Sequence, residues 1–193
     1  MVRIRTFLGV QPRSVSVGGS RSGAAQSVCL VAPGPIEPSA NGSVVLVLDR
    51  QPTLVLGTQL NEIEIRRGET VLWSKLASSK APISGSIPWP LAPLQAGEQL
   101  ELAMRPKGAA GGDWGVVILE AATAGARKSY LELVKASTGN VELRLQQLDQ
   151  ATGTGDRSLA HALLWAPITP NNSALAALQK SQQSSCRNTP STW

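Results

Sequence analysis

In Glu62-Ile63-Glu64-Ile65-Arg66-Arg67-Gly68-Glu69-Thr70-Val71-Leu72-Trp73, two apolar segments flank a connection that carries glycine. Residues 62–66 alternate polar with apolar, so successive side chains leave opposite sides of an extended backbone, one face buried and the other wet. Gly68 supplies the positive φ that a tight reversal needs. Arg67-Gly68-Glu69 therefore reads as a hairpin connection between two paired strands.

The same punctuation extends over residues 50–105 and beyond. Residues 43–48, 53–56, 99–104 and 114–119 are further apolar runs of strand length. Between Lys75 and Glu98 the chain carries Pro82, Pro88, Pro90 and Pro93, each of which fixes φ and removes a backbone donor. That segment reads as a loop excursion with, at most, a short edge strand over residues 83–89. Gln95-Ala96-Gly97-Glu98 reads as the turn feeding the next strand. Short strands with frequent turn signals favour a sandwich or an open barrel over a parallel sheet, which would need crossover helices between strands. The expected fold is mainly β, an antiparallel Ig-like β-sandwich followed by a small C-terminal helical segment.

After Ala121 the pattern changes. Tyr130, Leu131 and Val134 fall at helical offsets, and Val141, Leu145 and Leu148 share a helical face, yet the alternation Val141-Leu143-Leu145 suits a strand equally. Helix and strand both stay open for residues 127–150. Asp156 reads as the N-cap of a helix ending near Trp165 before Pro167 and Pro170, and Ser173 as the cap of another over residues 174–182. The resulting division is a basic flexible arm over residues 1–28, a β-sandwich domain over 29–120, a mainly helical extension over 121–183 and a disordered tail over 184–193.

A chain of 193 residues is long enough to bury one substantial core. Five of its seven aromatic residues are tryptophan, so Trp73, Trp89, Trp114 and Trp165 are the large fillers of an otherwise aliphatic interior. The sharper alternative places Trp89 or Trp114 at the surface as a platform for a partner. Arg3, Arg5, Arg13 and Arg21 precede any acidic residue and hold four of the five net positive charges. Such an arm suits nucleic acid or another anionic surface, and a merely solvated leader is the plainer reading.

Catalytic and metal chemistry find no support in the spacing. His161 is the sole histidine, there is no Gly-Lys dipeptide for a phosphate-binding loop, and Gly18-Gly19-Ser20-Arg21-Ser22 fails the nucleophile-elbow pattern. A hydrolytic site would have to gather His161 with Asp113 or Asp156. Glu62 and Glu64 share one strand face, where alternating charge on a wet sheet surface explains them. No catalytic residue, metal or cofactor is therefore assigned, and no run approaches a membrane span. Thr6-Phe7-Leu8-Gly9-Val10 is too short for the apolar core of a signal peptide. Cys29 and Cys186 are the only cysteines, and they read either as a disulfide closing nearly the whole chain or as two separate thiols.

Cys29-Leu30-Val31-Ala32-Pro33 after a Gly/Arg/Ser-rich leader, Arg50-Gln51-Pro52-Thr53 opening a strand, a hairpin ending in Val71-Leu72-Trp73, then Ile83-Ser84-Gly85-Ser86-Ile87-Pro88 and Pro93-Leu94-Gln95-Ala96-Gly97-Glu98 together resemble a cyanobacterial family of secreted β-rich proteins of unknown function. The resemblance covers residues 29–105 and implies an exported, Ig-like sandwich with no catalytic residues to carry over. The expectation is thus a non-enzymatic, extracytoplasmic (periplasmic or secreted) interaction or structural module. Its partner is expected to be a protein, engaged through a sheet edge or through Trp89 or Trp114. The alternative is nucleic-acid or anionic-surface binding through the four arginines.

Overall fold

The computed structural model describes residues 14–16, 27–40, 42–109, 111–167 and 172–186. Its spine is β5 (Leu54–Arg67), one 14-residue strand where the sequence suggests two. The chain stays extended through Gly57-Thr58-Gln59 because Gly57 marks a close approach rather than a turn: a Cβ there would collide with Cys186. The two halves of β5 have different neighbours. The first lies between β2 (Ser27–Ala32) and β7 (Ile83–Ile87), the second between β6 (Thr70–Leu76) and β8 (Gln99–Pro106). The expected hairpin joins β5 to β6 through Gly68 at φ 57°, with Ile65 opposite Trp73 and Glu62 opposite Leu76.

The remaining strands are β1 (Ser14–Ser16), β3 (Glu37–Ser39), β4 (Gly42–Val47) and β9 (Gly115–Ala121), and the principal order is β1-β2-β5-β8-β9-β4-β3. The molecule is mainly β, but its sheet is mixed and curls like half a barrel, which corrects the antiparallel Ig-like sandwich. β4 and β9 run parallel. Between them the chain builds the intervening strands of the same sheet, so no crossover helix announces the parallel pair. Within the stretch expected to be the arm, Ser14–Ser16 pairs with residues 27–29 of the next strand.

Alternation decides which side of the sheet is dry. Val45, Val47, Ile63, Ile65, Leu100, Leu102, Met104, Val117 and Leu119 point inward into one aliphatic cluster. Each such burial contributes about 1.5–3 kcal/mol relative to exposure. The curl brings β1 against β9 and leaves no room for a side chain at Gly115, where a Cβ would strike Val28.

Four helices follow: α1 (Ala124–Ala136), α2 (Val141–Gly153), α3 (Arg157–Trp165) and α4 (Ser173–Ser185). The open choice over residues 127–150 resolves as helix because Thr123 and Asn140 cap the starts, their side chains accepting from Ala126 and Leu143 amides. Asp156 caps α3 as expected, at 3.0 Å from the Leu159 amide. Asn172, not Ser173, caps α4: its amide oxygen accepts from Ala174 and Leu175.

The helices are tied together by a buried cation. Arg144 of α2 has no exposed surface and donates to the carbonyls of Val134, Leu163 and Ala166 and to Ser137 Oγ. These acceptors sit at the ends of α1 and α3, where carbonyls lack helical partners and the helix dipole is negative. The layer is anchored to the sheet by Trp165 against Val31, Ala32 and Val55, by the Arg157–Glu37 ion pair at 2.9 Å, and by a disulfide joining Cys29 of β2 to Cys186, with Cα atoms 5.8 Å apart.

Candidate interaction surface

The outer face of the sheet carries the residues that alternate with the core: Glu62, Glu64 and Arg66 on β5, Glu101, Ala103 and Arg105 on β8, Val116 and Ile118 on β9. Trp114 lies one step beyond the last ladder pair, Met104 with Gly115, and so falls beside Arg105. The Arg66 and Arg105 guanidinium carbons stand 4.9 and 5.8 Å from its ring centroid, within cation–π range. Each arginine is held by a carboxylate in turn. Arg66 donates to Glu64 at 2.6 Å and Arg105 to Glu62 at 2.7 Å. The two pairs neutralise one another, so this half-buried indole sits in a fixed frame without net charge.

Apolar exposure is concentrated on the same face. Leu46, Val71, Leu76 and Val116 are 39%, 47%, 65% and 37% exposed, and the register places all four on the outer side, with Glu120, Arg66, Glu62 and Ala103 as respective partners. Among the described residues only one other large hydrophobic side chain is comparably exposed, Leu131 on α1. β6 forms one margin of this face, and among the described residues it pairs with β5 alone. Lys75, opposite the inward Ile63, puts a charge on that edge, a device that discourages strand-to-strand association.

Of the residues singled out from the sequence, Trp114 lies on this face and Trp89 does not. Trp89 is 9% exposed, belongs to the aliphatic cluster and donates from its indole nitrogen to Ala92 at 3.0 Å, which corrects its reading as a docking residue. The proline-rich loop folds its ring inward and satisfies the polar edge locally. Trp73 and Trp165 also pack against core clusters. Arg3, Arg5, Arg13 and Arg21 lie outside the described residues. Arg66 and Arg105 were missed by sequence reasoning. Their signal was parity, since Arg66 shares the wet alternation of Glu62 and Glu64, and Arg105 that of Glu101.

His161 is 2% exposed and faces a cavity of about 40 Å³ that Tyr130, Trp165, Gly34 and Asp49 also line, with neither Asp113 nor Asp156 among its walls. A space of that size suits a water molecule, not an organic substrate. Burial lowers the His161 pKa from 6.5 to about 4, opposed by its hydrogen bond to the Val31 backbone, and burial raises that of Tyr130. A neutral imidazole in so small a space is a packing element. Glu62 and Glu64 are committed to arginines, as a wet sheet face requires. Among the described residues no three His, Cys, Asp or Glu gather as metal ligands, and no helix is long and apolar enough to cross a membrane. No protein-family model, curated protein or solved structure matches the chain.

Proposed function

We propose that the protein is a non-enzymatic extracytoplasmic interaction module that holds a protein partner on the outer face of its sheet, with Trp114 as the anchor. The carrying observation is that four of the five large hydrophobic residues exposed among the described residues share one sheet face with a tryptophan clamped by two ion-paired arginines. Interfaces favour a central aromatic with arginine, because such groups bury much area with little loss of freedom when they are already held in place. In this use the curled sheet stands in for an Ig-like sandwich: one face closes the core and the other meets the partner. The Glu62–Arg105 and Glu64–Arg66 pairs cancel, which favours a protein surface over a polyanion. The Cys29–Cys186 disulfide supports an oxidising compartment.

Retention of extracytoplasmic proteins on the immobilised chain tests the reading. Trp114→Ala is expected to reduce retention of the bound species at least tenfold with little change in unfolding midpoint. Undiminished retention would overturn the proposal.

A further inference from the structure

On the opposite part of the molecule, an open groove of about 490 Å³ runs between residues 94–96 and α1. Its volume lies within the range of small-molecule sites, about 300–1,000 Å³. Four cations line it, Arg50, Arg127, Lys128 and Lys135, against one acid, Glu132. Among the described residues none of the four cations forms an ion pair. Arg127 is the unusual member. It is 5% exposed, its Nη1 donates to the Leu94 carbonyl at 2.7 Å, and its Nε and Nη2 are buried without a hydrogen-bond partner.

A buried guanidinium with two unused donors costs free energy unless an anion compensates it. Burial and the neighbouring Arg50 both disfavour its charge, while Asp49 and Glu98 act in the opposite sense. Because Nε and Nη2 have no accessible surface, Arg127 acts on the groove mainly through its field, and direct contacts fall to exposed Arg50, Lys128 and Lys135. The first turn of α1 adds its positive dipole end beside Ala124. Ala96, Ala124 and the 51% exposed Leu131 supply an apolar wall.

We propose that this groove binds a small amphiphilic anion, a phosphate or carboxylate head on a short apolar body. The head sits among Arg50, Lys128 and Lys135 under the field of Arg127, and the body lies along Ala96 and Leu131. The site is separate from the Trp114 face, and its success or failure leaves that reading untouched.

Calorimetric titration of the full chain with decyl phosphate, inorganic phosphate and octyl glucoside tests the proposal. Saturable 1:1 binding of decyl phosphate is expected, with both other probes at least tenfold weaker. Arg50→Glu with Lys135→Glu, both exposed side chains, should weaken decyl phosphate at least tenfold. Lys80→Glu with Lys180→Glu makes the same charge change away from the groove and should leave binding within twofold. Absence of saturable binding, equal affinity for inorganic phosphate or octyl glucoside, or equal losses in the two double variants would overturn it. So would binding to phosphatidylglycerol vesicles with none to free decyl phosphate, since the ligand would then be a membrane surface.

Discussion

Inside the curled sheet the main cluster is hydrophobic from Val15 to Ala121, whereas Arg127, Ser137, Arg144, Gln147, His161 and Gln182 are all buried among the helices. The sheet is held by area removed from water, a term that tolerates exchange between side chains of similar size. The helical layer has an apolar cluster of its own around Tyr130, Leu148, Leu163 and Leu164, and adds to it buried side-chain donors that reach backbone carbonyls. Arg144 serves the ends of two helices, and Gln147 reaches the Leu133 carbonyl at 3.2 Å. Such groups are hard to replace, because losing one leaves buried carbonyls unpaired.

The largest effect expected from this difference comes from cutting the link between the two regions. Cys29→Ala with Cys186→Ala opens a loop of sequence separation 157, worth about 5 kcal/mol in the chain-entropy estimate. Chemical denaturation followed by circular dichroism should show helical signal lost before the sheet. An unchanged midpoint would mean that the layers hold together without the bond.

Arg144→Met sharpens the comparison. It removes the Arg144 donors from the Leu163 and Ala166 carbonyls and from Ser137 Oγ and is expected to cost about 4 kcal/mol. Leu102→Met, at an equally buried position in the sheet, should cost under about 1.5 kcal/mol. Equal costs in urea titrations would erase the distinction between the two interiors.

Proton linkage probes the helical layer without changing its sequence. The folded His161 pKa is depressed to about 4 from 6.5, so the unfolded chain takes up a proton first as pH falls. Stability from this group is complete above pH 6.5 and is lost on descending to about 4, by about 3 kcal/mol in all. His161→Gln should flatten that slope when unfolding midpoints are compared at pH 7 and pH 4.5. A slope identical in both proteins would place the titration elsewhere.

The same difference explains how much could be read beforehand. Strand alternation equals burial wherever one face is dry, so the β5–β6 hairpin, β8 and β9 were legible within a few residues, and Asp156 announced α3 through its cap. The first half of β5 was not legible as part of a longer strand. Leu54, Val55 and Leu56 are all buried, so alternation vanishes there, and Gly57 reads as a break although it makes room for Cys186. The parallel β4–β9 pair is a product of topology, invisible to periodicity. In the helices, Arg127 and Arg144 look like surface cations because their partners are backbone carbonyls, which carry no sequence signal. Of the candidate site, Trp114 was named from the sequence, but its distinction from Trp89 rests on register: one indole falls at the wet parity beside Arg105 and the other folds beneath a proline-rich loop.

The most direct test of the account sets those two tryptophans against each other. Trp114→Ala should change unfolding free energy by only about 1 kcal/mol, since it loses half-buried area and two partly exposed cation–π contacts, whereas Trp89→Ala should cost about 3–5 kcal/mol. A photo-crosslinking residue at Val116 should capture a protein partner in the intact chain and lose it with Trp114→Ala. Capture that persists without Trp114, or a Trp114→Ala chain as unstable as Trp89→Ala, would contradict the assignment of the outer sheet face as the working surface.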